Sequence, residues 1–184
     1  EHELSSQINA DFIDTLNDNE SQISLVVFPK EDYHAQRIEL ARKLSRIFEK
    51  ICYISMNKPY HTLVEEFHRH GIDSNKFFFM DASPRERPPE TSPSAQVVGS
   101  SNNITGLSID LGRLLKKERF DACIFESIDI LRIYLDWDIV LRFIHSTVTK
   151  IRMTNSKLFL ITASEEGEGL SKELIMLADN VIEI

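Results

Sequence analysis

Glycine is scarce in this chain, and scarcest where a phosphate-binding turn would need it. Only 6 of the 184 residues are glycine. None lies between the apolar run Ser24-Leu25-Val26-Val27-Phe28, which reads as a buried strand, and an amphipathic pattern that begins by Tyr33 and ends near Phe48. The turn between them is Pro29-Lys30-Glu31-Asp32-Tyr33-His34. Backbone N–H groups wrap a phosphate only where the chain approaches without Cβ clashes, which is why such turns carry glycines, then a lysine, then Ser or Thr. Pro29 has no N–H to give. Glu31 and Asp32 put negative charge where a triphosphate would sit. The frame of a nucleotide-binding unit is present without its cradle.

Other absences narrow the class. Basic residues are outnumbered, 21 Lys and Arg against 29 Asp and Glu, for a net charge of -8. That disfavours non-specific nucleic-acid binding, which needs clustered Lys and Arg. No apolar run approaches the roughly 20 residues that span a bilayer, and no basic region followed by an apolar stretch opens the sequence. There are 2 cysteines. Cys52 and Cys123 both sit inside apolar runs, which reads as buried strand thiols, with a disulfide or metal pair as the alternative. Two isolated thiols fit a reducing compartment. The expectation is a cytoplasmic protein without membrane contact.

What is present is a globular balance, 42% hydrophobic and 27% charged, enough apolar side chain for a proper core. Short apolar runs at Leu25–Phe28, Ile51–Met56, Phe77–Asp81, Ala122–Glu126, Leu158–Ala163 and Asn180–Ile184 read as strands. They are nearly continuous rather than alternating, the mark of strands covered on both faces. Helical patterns fall between them: Arg37–Phe48, Thr62–His70, the Leu107 to Leu115 stretch, Trp137–Met153 and Ser171–Leu177. Strands alternating with helices predict an α/β fold, a doubly wound, mostly parallel sheet between helices. Residues 1–23 read as an N-terminal extension or helix (Ile8, Phe12, Ile13 and Leu16 give a weak amphipathic pattern), and 24–184 as one domain. Ser83 to Asn103, rich in Pro and Ser, reads as a long loop. The dense apolar run Ile130, Leu131, Ile133, Tyr134, Leu135 and Trp137 either presents a protein-contact patch or closes the core beneath the following helix; both readings stand.

Four stretches carry a family resemblance. Ile51 to Pro59 resembles the second strand and its exit in the RecA-type ATPases, KaiC-like group. Gly71 to Ala82 resembles the helix end and third strand. Phe120 to Ser127 resembles the Walker B strand, apolar residues ending in an acid followed by Ser. Leu158 to Thr162, with Ala178 to Ile184, resembles the fifth and closing strands. The resemblance implies a RecA-like P-loop NTPase fold. The departures from it are equally specific. Walker A has no counterpart. The catalytic glutamate position falls on Asn57 or Lys58; Asn is no general base, and Lys at its ordinary pKa is protonated. The Walker B acid is Glu126 rather than Asp, and magnesium there depends on a triphosphate for its own binding. The chain is thus similar to degenerate, archaeal-type KaiC-like proteins that lack Walker A. This implies no ATP hydrolysis, no catalytic residue, no cofactor and no metal.

The candidates for a residual site are Glu126, Asp81, Asn57 and Ser127, at the carboxyl edge where ligands of open α/β sheets gather. For Glu126 the alternatives are a ligand contact or a carboxylate satisfied by a helix N-terminus or by Ser127 or Ser55. Asp81 either joins Glu126 in an acidic pocket or caps its loop. His61, His68 and His70 lack zinc-pair spacing and read as a solvated face. His34 sits in the degenerate turn, where its protonated form can bind an anion. His145 reads as structural. Lys116, Lys117 and Arg119 read as a helix C-terminus complementing its dipole, and Ser164 to Gly169 as a solvated acidic loop. The function expected is a non-catalytic pseudo-ATPase domain acting through a protein partner or self-association, in signalling or regulation. The alternatives are an atypical nucleotide binder or ATPase, and a small-molecule sensor with its pocket beside Asn57, Asp81 and Glu126.

Overall fold

The computed structural model describes residues 20–83, 97–99, 103–164 and 170–184, with backbone alone at 97–99. The N-terminal pattern around Ile8 to Leu16 and residues 165–169 of the acidic loop lie outside the described residues. Seven strands form one sheet: β1 Ile23–Pro29, β2 Ile51–Ser55, β3 Phe77–Asp81, β4 Val97–Gly99, β5 Ala122–Glu126, β6 Lys157–Ser164 and β7 Asn180–Glu183. The order is β4-β3-β2-β5-β6-β1-β7, and every neighbouring pair is parallel. The helices are α1 Tyr33–Ile47, α2 Tyr60–Arg69, α3 Ile104–Lys117, α4 Ile128–Tyr134, α5 Trp137–Arg152 and α6 Lys172–Leu177. Short 3-10 turns occupy Lys30–Asp32 and Ser74–Lys76.

The sheet is parallel because helices cover both its faces, and the strands between them are apolar at nearly every position. β2 and β5 are buried along their whole length. Side chains of one parity, among them Val26, Ile51, Phe77, Ile124 and Phe159, pack with Ile38, Ala41 and Leu44 of α1 and Leu63 and Phe67 of α2. The other parity, among them Leu25, Ile54, Phe125 and Leu160, packs with α3, α4, α5 and Leu174 of α6. Each fully buried Leu, Ile or Phe contributes about 1.5–3 kcal/mol to folding. The doubly wound α/β architecture is the expected one.

Two elements differ from the sequence expectation. The Pro- and Ser-rich stretch 83–103 contains an edge strand, β4, paired to β3 through Phe79, Met80 and Asp81. The apolar run Ile130 to Trp137 falls mostly on a helix of its own, α4, which ends at Tyr134. Its side chains divide between the two readings: Leu131 is buried and Ile130, Leu135 and Trp137 pack on the core, while Ile133 and Tyr134 are exposed.

The two cysteines are free and fully buried. They face each other across the β2–β5 register. The hydrogen bond with Cys52, then burial, pushes the Cys123 thiol well above its ordinary pKa, and both side chains pack in the core of the α3–α6 face.

Candidate functional site

The carboxyl ends of β3, β2 and β5 form one row, because Ser55 is in register with both Asp81 and Glu126. β2 therefore stands between the two acids. Asp81 and Glu126 are not neighbours, so of the two readings of Asp81 the structure gives the loop cap and not a shared acidic pocket. Asp81 is buried and spent on backbone: one oxygen accepts from the Tyr60 N–H at 2.6 Å and the other from the Ser83 N–H and hydroxyl. It satisfies an orphan donor in the first turn of α2 and closes the following turn. Ser55 is used locally, its hydroxyl donating to the Lys58 carbonyl and accepting from the Lys58 N–H. Asn57 is exposed at the turn between β2 and α2.

Glu126 is 1% exposed and points to the α1–α2 face. Neither Ser127, Ser55 nor a helix N-terminus satisfies it. Its partners are Tyr53, whose hydroxyl donates to Oε2 at 2.6 Å, and Arg37, whose Nε lies 3.3 Å from Oε1. Arg37 comes from the second turn of α1 and is itself 1% exposed. It also donates to the Tyr53 hydroxyl at 3.1 Å and to Glu66 of α2 at 2.5 Å. Glu66 in turn is reached by Lys58 at 2.9 Å and His34 at 3.0 Å. The cluster spans β2, β5, α1, α2 and the β2–α2 turn.

The local sequence explains why these groups converge. Arg37, Ala41 and Leu44 lie at i, i+4 and i+7, on the inward stripe of α1. Glu66 lies three residues after Leu63, on the inward stripe of α2. Tyr53 shares the parity of Ile51 on β2, and Glu126 that of Ile124 on β5. Sequence reasoning missed Arg37, Tyr53 and Glu66. The signal was available in those inward positions, where a charged residue among apolar ones requires a buried partner.

Electrostatics set the protonation. Burial pushes the Glu126 carboxyl above its ordinary value, against the pull of Arg37 and the Tyr53 hydrogen bond. Burial would also raise Glu66, but hydrogen bonds from Lys58 and Arg37 outweigh it and hold Glu66 below 4.5. Burial works against the Arg37 charge; Tyr53, Glu126 and Glu66 outweigh it and keep the guanidinium protonated. Partial burial, then Lys58, lowers His34, while Glu66 pulls it back up. Tyr33, at the start of α1, packs its ring on Phe28 at 5.8 Å. Its hydroxyl is buried beside Ser127, and burial followed by the Glu126 charge pushes its pKa up.

The β1–α1 turn is a 3-10 turn of Lys30, Glu31 and Asp32 that runs straight into α1. Asp32 makes no side-chain cap to that helix. Ser127 is buried beside Glu126. Lys116, Lys117 and Arg119 are exposed, the first two closing α3. His61, His68 and His70 are exposed on α2 and its end. His145, expected to be structural, is instead exposed on α5 and contributes its carbonyl to the Thr149 hydroxyl. No cluster of three or more His, Cys, Asp or Glu suited to a metal occurs among the described residues. Among them, no helix is long and apolar enough to cross a membrane.

A parallel sheet in this order with helices on both faces is a doubly wound α/β fold of the kind seen in KaiC-like proteins. The particular likeness is to a KaiC-like protein from the hyperthermophilic archaeon Pyrococcus horikoshii OT3, with a TM-score of 0.63 over 88% of this chain and 70% of that one. The two sequences are 11% identical, so the likeness is one of fold. No family model matches the chain, and no curated protein matches it in sequence.

Proposed function

We propose that this chain is a non-catalytic RecA-type domain, a pseudo-ATPase with a degenerate Walker A turn, that acts through contacts with other proteins in a signalling or regulatory assembly. The observation that carries this is the state of Glu126. The carboxylate in the Walker B-like position is buried, and each of its oxygens is engaged, one by Tyr53 and one by Arg37. A magnesium-bound water would have to displace a buried guanidinium or a buried phenol, leaving that group unpaired. The glycine-free turn, with Glu31 and Asp32 beside the α1 N-terminus, supports the same reading. So does Lys58, which stands by the position of the family's catalytic glutamate and is tied to Glu66.

Support for a protein contact comes from Ile133 and Tyr134, adjacent on α4 and 69% and 70% exposed. Large apolar side chains exposed side by side suit association more than solvation.

Calorimetry and thermal unfolding with 5 mM MgATP or MgGTP test the first half. A site with a Kd near 50 µM would add about 2.7 kcal/mol at 100 times its Kd; the expected shift is none. Saturable binding of either nucleotide, lost on Glu126→Gln, would sink the proposal. Light scattering over a range of concentrations tests self-association. Growth in mass that Tyr134→Glu abolishes is the expected outcome, and a monomer throughout removes a second copy as the partner.

A further inference from the structure

The α3–α6 face holds a cavity of about 410 Å³ beside the carboxyl edge of the sheet, between the start of α3 and the length of α4. This lies within the range of about 300–1,000 Å³ typical of small-molecule sites. Its walls are Met56, Ile104, Leu107, Ile130, Leu131 and Leu135, with Ala82 and Ser83 just beyond β3, the Ser83 hydroxyl being spent on Asp81. Asn57, Asp81 and Glu126 are not among its lining residues, so it is not the pocket the sequence suggested, and it lies across the sheet from the Arg37 cluster.

We infer that this cavity is a binding site for an uncharged, mostly apolar small molecule that carries one hydrogen-bond-accepting group. Three features fix the chemistry. Among the described residues no Asp, Glu, Lys, Arg or His lines the cavity, so an ion among them would lose its water with no counter-charge in return. The apolar walls come from three elements packed on the core, α3, α4 and the ends of the central strands, so the space is held open by the fold. The polar groups gather at the mouth. Asn103 spends its side-chain carbonyl on capping α3, accepting from the Gly106 N–H at 2.7 Å, which leaves its amide hydrogens to donate. Tyr134, largely exposed, lines the cavity as well. An apolar body in the walls and an acceptor at Asn103 satisfy both.

The probe for the test is N-phenyl-1-naphthylamine, a neutral apolar fluorophore, titrated into the full chain. The expected result is saturable enhancement at one probe per chain with a micromolar Kd. Ala82→Leu and Ile104→Trp each put bulk into the cavity from different walls. In whichever of them retains a cooperative thermal transition, affinity should fall at least tenfold. Asn103→Asp, which keeps the capping oxygen and removes the donors, should leave probe affinity within twofold while abolishing any preference for ketone- or ester-bearing competitors over their alkane analogues. Absence of saturable binding by the native chain would overturn the inference, as would binding unchanged in the folded filled variants. Binding that appears only when residues 85–95 are replaced by a short Gly-Ser linker would also overturn it, because the chain itself would then be the occupant.

Discussion

The two faces of the sheet solve the same packing problem with different materials. The α3–α6 face is closed by aliphatic and aromatic side chains and two thiols. The α1–α2 face has an aromatic floor, where Tyr53, Phe67, Phe77 and Phe79 meet edge to face, tilted or, for Phe77 on Phe79, stacked, at centroid distances of 4.9 to 6.3 Å. Over that floor stands the buried cluster of Arg37, Glu66 and Glu126. An apolar face tolerates exchanges of similar volume. A buried charged cluster tolerates none of its members being removed singly, because each deletion orphans a partner in low dielectric. The α1–α2 face is thus specified by pairing and the α3–α6 face by shape.

The sharpest way to break this contrast is to remove the hub. Arg37→Ala leaves Glu66 and Glu126 buried without their shared cation and should destabilise the fold by about 3–5 kcal/mol, read from urea unfolding at pH 7. A loss below 1 kcal/mol would mean that water enters the cluster and the two faces do not differ in kind. Tyr53→Phe is milder. It keeps the ring packing against Phe67 and deletes only the hydroxyl that donates to Glu126, for about 1–3 kcal/mol. On the other face, Ile144→Val trims one buried methyl group from α5 and should cost about 1 kcal/mol, the smallest of the three.

The uneven legibility of the sequence follows the same division. Strands buried on both faces announce themselves as continuous apolar runs, so Phe77–Asp81 and Ala122–Glu126 were legible to the residue and Leu25–Phe28 lay inside β1. The 3.6-residue period gave α1 and α5 nearly whole. α4 was obscured because apolar residues occupy both its buried and its exposed sides, leaving no period to read. β4 was obscured because it sits within a Pro- and Ser-rich stretch, and an edge strand of three residues needs little apolar character of its own. The site was half legible. Glu126 and Asp81 were marked by ending apolar strands, but their partners depend on which strands adjoin, and pattern alone does not order a sheet. Reading Arg37 as part of the α1 core stripe would have supplied the missing cation.

The finest test uses pH, since the two carboxylates of the cluster are shifted in opposite directions. Glu66 is held below its ordinary 4.5 by Lys58 and Arg37 in the folded chain. Its contribution to stability is therefore complete above 4.5 and is lost as pH falls through the lower, folded value. Glu126 is held above 4.5, chiefly by burial. Its contribution is complete below 4.5 and is lost as pH rises through the higher, folded value. Replacing each by glutamine removes one dependence and leaves the other. The stability of Glu66→Gln relative to the native chain should decline between pH 3 and pH 5. That of Glu126→Gln should instead improve as pH rises above 4.5. Urea midpoints across both windows read the two slopes. Parallel slopes would mean that the carboxylates share one environment and the cluster is solvated; opposed slopes require a dry network in which one acid is paired by cations and the other is confined by burial.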